Sequence, residues 1–415
     1  MLESACEATR LACKLDRPAD TVLSEFFRQN RQLGSHDRPF VADTVFSVLR
    51  NKRLLEHVVP EPDSRRLVLT SLLKLQGISL RGLESLTVAS EREWLLAAKQ
   101  ASTDSLPIAV RLSLPDWLWE RLDGRYGEDE AARLGHSLLK PAPFDLRVNP
   151  LLANREEILK ALEAQGLEAL PTPYSPLGIR LHSNPALNRN ELFLSGKIEV
   201  QDEGSQLVGM LVAPVRRQMV VDFCAGAGGK TLLMGAMMHN QGRLYAFDIS
   251  TKRLESLKRR LKRSQLSNVH PQMIGSERDP RIKRLAGKID RVLVDAPCSG
   301  LGTLRRNPDM KWRQSPTSVD ELVEKQRRIL AASSRLLKPG GRLVYATCSL
   351  LRAENEEIVE QFLTAQDGRF RALDSDSILA PQGVDLKSGQ YLQVSPDKHE
   401  CDGFFGAVLE RVSAA

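Results

Sequence analysis

The sequence predicts a multidomain chain: an α-helical N-terminal domain, a small α/β domain, and a C-terminal α/β domain built on a doubly wound parallel sheet. Apolar positions recur at helical spacing through roughly the first 135 residues, where strand patterns are nearly absent. Closely spaced prolines in PAPFDLRVNP mark a boundary near residue 140. Beyond about residue 205, apolar β-branched runs alternate with helical stretches. We therefore predict domains at residues 1–137, 138–204 and 205–415.

Length and composition set the broad class. The chain has 415 residues, two to three times the usual domain length, and 42% hydrophobic with 27% charged residues is ordinary globular composition. A net charge of +7 favours a polyanionic partner. The first twenty residues lack the apolar core of a secretory signal, and no apolar run reaches the roughly 20 residues that cross a bilayer. Six cysteines without a C-x-x-C pair argue against zinc or local disulfides. We expect a cytoplasmic monomer with reduced thiols and neither a metal nor a membrane partner.

The first two domains are predicted from short patterns. Helices are predicted for TVLSEFFRQN, RPFVADTVFSVLRNKRLLEHVV and LPDWLWERLDGRYGEDEAARL, because their apolar residues fall on one helix face. The middle domain reads as strand FDLRVN, helix REEILKALEAQG ended by Gly166, and strand GIRLH.

The third domain contains the strand patterns QMVVDF, RLYAFD, RVLVDA and GRLVYAT, and HECDGFFGAVLER at the end predicts a last edge strand. Ligands of open parallel sheets bind at the carboxyl ends of the strands. Cys224, Asp248, Asp295 and Cys348 all fall at such ends. The sequence therefore predicts one site at this edge of the sheet.

A glycine-rich turn, CAGAGGKT, follows the first of these strands and opens a helix, so its backbone N–H groups are directed at a ligand. Three ligand classes use such turns. A nucleoside-triphosphate loop is disfavoured because Cys224 occupies its leading glycine position. A dinucleotide loop is disfavoured because Thr231 occupies its third glycine position. The S-adenosylmethionine pattern D-x-G-x-G-x-G fits Asp222, Gly226 and Gly228, again with cysteine in the first glycine position. Asp248 would accept from ribose hydroxyls, the alternative being a cap on the next helix.

Two later strands end in thiol-bearing turns, DAPCSG and TCS, so two thiols face one pocket. With these turns and GGKT, the chain resembles the RNA (cytosine-5)-methyltransferase family (NOL1/NOP2/Sun) over its whole length, and most closely the bacterial members that modify small-subunit (16S) ribosomal RNA. The resemblance implies a NusB-like helical RNA-binding domain, an RRM-like middle domain marked by LRVN and VQDEGSQ, and a Rossmann-like class I methyltransferase domain that binds S-adenosyl-L-methionine.

The resemblance also implies the roles of the site residues. Carbon-5 of cytosine becomes nucleophilic only after a thiolate adds to carbon-6. Cys348 matches this nucleophile, Cys298 matches the residue that assists elimination, and Asp295 matches the acid that holds the N3/N4 edge of the base. Lys230 would lie beside Cys348 and favour its thiolate. The residues alone leave the choice of nucleophile open, because DNA cytosine methyltransferases use the cysteine of a Pro-Cys pair. The predicted cofactor site comprises Asp222, Cys224, Ala225, Gly226, Ala227, Gly228, Gly229, Lys230, Asp248 and Asp295.

RNA contacts are predicted directly after DAPCSG. Arg305, Arg306, Lys311 and Trp312 fall where the family contacts its RNA, with Trp312 either stacking on a base or packing. Residues 251–290 carry twelve Lys and Arg against four acids, which a solvated helix flank explains equally well. A base inside a helix hides its carbon-6, so the target cytosine must be single-stranded, looped or flipped out.

The sequence departs from the family pattern at two places. Ala227 replaces the usual proline of the turn, and the third strand ends in MIGSERDP without the expected aspartate, so Ser276 or Glu277 must replace it near the adenine. Two alternative functions stay open: an RNA-binding ribosome assembly factor without turnover, and a methyltransferase acting on transfer RNA. Retention of both cysteines, Asp295 and Lys230 favours catalysis.

Overall fold

A computed structural model describes residues 1–412. The chain divides into two compact units, residues 1–141 with 303–316, and residues 142–302 with 317 onward. Residues 303–316, which lie inside the predicted third domain, make their contacts with the first unit. The predicted second and third domains lie together in the second unit.

The first unit is helical, and none of its described residues lies in a strand. The helix Asp37–Arg50 shows why: Val41, Val45 and Val48 lie on one face and are completely buried among apolar side chains of its neighbours. Helices of this unit span Leu2–Ala12, Ala19–Gln29, Asp37–Arg50, Lys52–Val58, Ser64–Thr70, Leu80–Leu83, Ala89–Gln100, Ile108–Arg111, Asp116–Tyr126, Glu128–Leu138 and Met310–Arg313, with a π-helical turn at Ser71–Leu75.

Segment 303–316 joins the first unit through polar contacts at helix ends. The last carbonyl groups of an α-helix have no partner within the helix. Lys311 Nζ donates to the carbonyl oxygen of Arg50 at 2.8 Å, and Trp312 Nε1 donates to that of Leu49 at 2.7 Å. Asp309 accepts from the backbone N–H of Ala19 at 3.3 Å, at the start of another helix. The segment thus satisfies backbone groups that the helices leave unpaired.

The second unit contains a small antiparallel sheet. Its strands are β1 (Phe144–Val148), β2 (Ala169–Pro171), β3 (Gly178–Leu181) and β4 (Ile198–Val200), in the order β2-β3-β1-β4. Helix Arg155–Glu163 begins with a capping box formed by Asn154 and Glu157. The predicted strand, helix and strand of the middle segment are confirmed.

The larger sheet has the doubly wound core that the apolar runs predict. Its strands are β5 (Met219–Asp222), β6 (Arg243–Asp248), β7 (Val269–Met273), β8 (Ile289–Asp295), β9 (Leu337–Thr347), β10 (Phe370–Leu373), β11 (Leu392–Val394) and β12 (Phe404–Arg411). The order is β10-β12-β9-β8-β5-β6-β7, with β11 paired to β12. Strands β5 to β9 pair in parallel, whereas β12 is antiparallel to β9. The predicted last edge strand, β12, is interior because β10 pairs on its other side.

Helices of the second unit span Arg155–Glu163, Glu191–Leu194, Glu203–Leu211, Gly229–Met237, Thr251–Ser264, Pro280–Lys283, Pro316–Ser334, Glu356–Gln366, Ser375–Leu379 and Pro396–His399. Among residues 1–412, no helix combines the length and the apolar character that crossing a membrane requires.

Candidate active site

The glycine-rich turn connects the end of β5 to helix Gly229–Met237. Ala225 donates its N–H to the carbonyl of Phe247 at 2.8 Å, which ties the turn to β6. Gly226 has φ +57° and Gly228 has φ +89°, a region that side chains disfavour. A Cβ at Gly228 would lie 2.1 Å from Leu257 Cδ1, so any side chain here would also force the buried Leu257 side chain to shift.

Two carboxylates brace the turn. Asp222 is 1% exposed and accepts from Thr231 Oγ1 at 2.6 Å, and burial raises its pKa to about 7. Asp248, at the end of β6, accepts from the N–H groups of Gly226 at 2.9 Å and Ser250 at 2.7 Å. The cap on the following helix is Ser250, which accepts from the N–H of Arg253, so the capping alternative for Asp248 is wrong.

A lysine and an aspartate form an ion pair beside the turn. Lys230 Nζ lies 2.8 Å from Asp295 Oδ2, and the Asp295 side chain is 29% exposed. Burial lowers the pKa of the Lys230 ammonium, but the charges of Asp295 and Cys348 and the hydrogen bond to Asp295 outweigh burial and raise that pKa overall. Lys230 is therefore a cation that pairs with Asp295 and lies near enough to Cys348 for their charges to interact.

The side chains of the two predicted catalytic cysteines are in contact. Cys298 Sγ and Cys348 Sγ lie 3.4 Å apart, at the ends of adjacent strands β8 and β9. The hydrogen bond to Cys348, and then burial, raise the pKa of Cys298 well above its ordinary value. Cys298 consequently stays a thiol at neutral pH and can donate its S–H to Cys348. Burial also raises the pKa values of Cys224 and Cys401, which removes both as thiolate nucleophiles.

One buried glutamate that the sequence analysis missed holds the two thiol turns together. Glu354 accepts from the N–H of Ser299 at 2.8 Å and from the hydroxyls of Ser299 and Ser349, both at 2.5 Å. These serines directly follow Cys298 and Cys348. Glu354 lies in a run of acidic and polar residues that reads as an exposed helix start, so its burial leaves no signal in the sequence pattern.

Two arginines, also missed, bind carbonyl groups of the glycine turn. Arg147, from the LRVN stretch, donates to the carbonyl of Gly229 at 2.7 Å and also contacts Gln201. Arg260 donates to the carbonyl of Ala227 at 2.9 Å and to Glu199 at 3.0 Å. The small sheet thus helps to shape the turn.

The structure places the predicted RNA-contact residues differently from the prediction. Arg305 is 9% exposed and Lys311 is 2% exposed, and burial lowers the pKa of Lys311 well below its ordinary value. These two side chains do not present charge at the surface, because they pack within the first unit. Trp312 and Arg306 are half-buried, and the tryptophan takes the packing role that the sequence left open.

The structure also shows where the two candidates for the adenine contact lie and whether a metal-binding group is present. Ser276 is exposed, whereas Glu277 is half-buried and pairs with Arg328 at 3.6 Å. Across residues 1–412 there is no group of three or more His, Cys, Asp or Glu arranged to hold a metal ion.

Comparisons with known proteins agree on one family. The family described as 16S rRNA methyltransferase RsmB/F matches residues 209–410, and the ferredoxin-like domain of RsmF/B-like methyltransferases matches residues 114–188. A relative from Synechocystis sp., named probable ribosomal RNA small subunit methyltransferase B, is 32% identical over 92% of this chain and 93% of its own length.

Solved structures support the same conclusion. The crystal structure of PH0851 covers 99% of this chain and 98% of its own, at 26% identity and a TM-score of 0.80. A methyltransferase homologue from Pyrococcus horikoshii covers 75% of this chain and 100% of its own, at 29% identity and a TM-score of 0.64. The chain therefore belongs to the RsmB/F family, within the NOL1/NOP2/Sun RNA methyltransferases.

Proposed function

We propose that this protein methylates carbon-5 of a cytosine in small-subunit ribosomal RNA, with S-adenosyl-L-methionine as the methyl donor. The observation that carries the proposal is the 3.4 Å separation of the Cys298 and Cys348 sulfurs beside the Lys230–Asp295 ion pair. Methyl transfer to an oxygen or a nitrogen needs no thiol pair, whereas carbon-5 of cytosine requires a thiolate to activate the ring. The name of the Synechocystis relative supports ribosomal RNA as the substrate.

The residues around the turn fit the donor. No atom lies within 4 Å of a Cβ built at Gly226, so a ligand can approach the backbone there. Each Asp248 oxygen accepts one backbone N–H and keeps lone-pair capacity for a ribose hydroxyl. When bound, S-adenosyl-L-methionine supplies an electrophilic methyl group. The turn from Cys224 to Gly229, with Asp248, is the part of this chain that would hold it.

Base activation is assigned to Cys348. Its thiolate bonds to carbon-6, the carbon-5–carbon-6 double bond opens, and carbon-5 becomes the nucleophilic end of an enamine. Lys230 favours the anion through its fixed positive charge. The partly exposed Asp295 carboxylate can accept from the N4 amino group of cytosine, which distinguishes this base from uracil.

Ring restoration is assigned to Cys298. After carbon-5 gains the methyl group, its proton must leave, the double bond must reform, and the carbon-6–sulfur bond must break. In the free protein the hydrogen bond to Cys348 raises the pKa of Cys298, ahead of burial. That hydrogen bond is weakened once the Cys348 sulfur is bonded to carbon-6. Cys298 is then the one remaining thiol of the pair, and its thiolate can accept the carbon-5 proton as Cys348 departs.

The test is direct. The purified protein is incubated with a small-subunit ribosomal RNA transcript and methyl-labelled S-adenosyl-L-methionine, and the RNA is then digested to nucleosides. We expect the label in 5-methylcytidine, and none with Cys348→Ala. Label on another base or on ribose, or equal label with the variant, would refute the proposal.

A further inference from the structure

A groove of about 480 Å³ opens in the second unit, and of the candidate site residues only Glu277, a candidate for the adenine contact, lines it. It lies between the connection from β7 to β8 and the second half of helix Pro316–Ser334. Ile282 and Leu336, which are 4% and 1% exposed, form an apolar floor together with alanines. Four exposed cations surround this floor: Arg278, Lys283, Arg328 and Arg335.

The groove lies beside a short connection between β7 and β8. The only helix between β7 and β8 is the single turn Pro280–Lys283. The amide N–H of Gly287 bonds to the carbonyl of Arg335 at 3.0 Å, which closes one end. The Glu277–Arg328 ion pair at 3.6 Å bridges the other end.

The charge in the groove is not neutralised by the protein. Among residues 1–412, the side chains of Arg278, Lys283 and Arg335 make no ion pair or hydrogen bond with an acidic side chain, and only Arg328 is paired. Neighbouring cations repel one another, and a polyanion relieves that repulsion while releasing its counterions. An apolar floor with a cationic rim suits a nucleotide, because bases and sugars can lie on the floor while phosphates meet the rim.

The groove also begins near the catalytic edge of the sheet. Glu277 follows the carboxyl end of β7 by four residues, and Arg335 precedes the amino end of β9 by two. The groove therefore runs from the carboxyl edge of the sheet towards the amino edge. We propose that it binds single-stranded RNA that flanks the target cytosine. This inference rests on the proposed function and extends it to the path of the substrate.

The experiment compares two triple variants of the full chain. The groove variant is Arg278→Gln with Lys283→Gln and Arg335→Gln. The control, Arg216→Gln with Arg369→Gln and Lys387→Gln, removes the same charge at positions of the second unit outside the groove. The affinity for a small-subunit ribosomal RNA transcript is measured from low to high salt. Each lost phosphate contact reduces the magnitude of the slope of log K against log salt by about 0.7. We therefore expect this magnitude to fall by about 2 in the groove variant and to stay almost unchanged in the control.

The outcomes separate this inference from the proposed function. At saturating RNA, the groove variant should form 5-methylcytidine at the wild-type rate, since none of its residues lies in the active site. An unchanged salt slope, or an equal loss in the control, would overturn the groove as an RNA site and leave an acidic protein as its partner. If instead the wild-type protein made no 5-methylcytidine, the proposed function would fail, while the salt slopes would still report on the groove.

Discussion

Cys298 shows how much of the proposed chemistry depends on one sulfur atom. In the proposed mechanism, the adduct between Cys348 and carbon-6 still forms without Cys298, but its resolution is slow. We therefore expect Cys298→Ala to accumulate protein covalently bound to RNA, visible as a retarded band under denaturing conditions. Cys348→Ala and the double variant should give no such band. An adduct with Cys348→Ala alone would reverse the two roles.

Asp222 makes a second prediction at the residue scale, about pH and stability. Its folded pKa is raised to about 7 from 3.8, so between these values the folded state binds more protons than the unfolded state. The free energy of unfolding should therefore fall as pH rises through this window. Asp222→Asn stays neutral and keeps an acceptor for Thr231. Between pH 5 and pH 8 we expect the free energy of unfolding to fall by up to about 3 kcal/mol more in the wild-type protein than in this variant, because a shift of one pKa unit corresponds to about 1.4 kcal/mol. Denaturant titrations at both pH values measure this, and identical pH profiles would contradict it.

At the scale of elements, the glycine turn offers a matched pair of substitutions. Gly228→Ala places a methyl group 2.1 Å from Leu257 Cδ1, whereas Gly226→Ala meets no atom within 4 Å. Both substitutions destabilise the left-handed backbone conformation by about 1–2 kcal/mol, but only Gly228→Ala adds a steric clash. Calorimetry should show S-adenosyl-L-methionine binding weakened about tenfold further by Gly228→Ala than by Gly226→Ala. Equal losses would mean that the packing of helix Thr251–Ser264 against the turn is unimportant.

The elements also show what the sequence can predict. Apolar runs and glycine turns identify β5, β6, β8 and β9 because burial on both faces dictates their composition. The interior position of β12 was not predictable, since it depends on pairing with β10, whose four residues form no distinctive pattern. The positions of Asp248, Asp295 and both cysteines followed from the sheet rule. Glu354 and Arg147 did not, because charged residues read as exposed unless their buried partners are known.

At the scale of the whole molecule, the contacts of segment 303–316 were not predictable for a similar reason. Its cations look like surface residues, yet Lys311 and Trp312 bond to carbonyl groups that end a helix of the first unit. We expect Trp312→Ala to lower the free energy of unfolding by roughly 2 kcal/mol, less than for a fully buried tryptophan, and to speed amide exchange across the segment. Trp312→Phe, which loses only the indole hydrogen bond, should cost about 1 kcal/mol. Unchanged exchange in Trp312→Ala would show that the segment is held by other contacts.

The route of the chain through this segment limits how such enzymes can be recombined. Only two residues separate the DAPCSG turn from position 303, where the backbone enters the helical unit. Replacing residues 1–141 with a different targeting module would leave segment 303–316 without its contacts, five residues from Cys298. Transplants of the catalytic half should therefore carry a redesigned stretch 303–316, and natural exchange of the helical unit would need two coordinated changes in the gene.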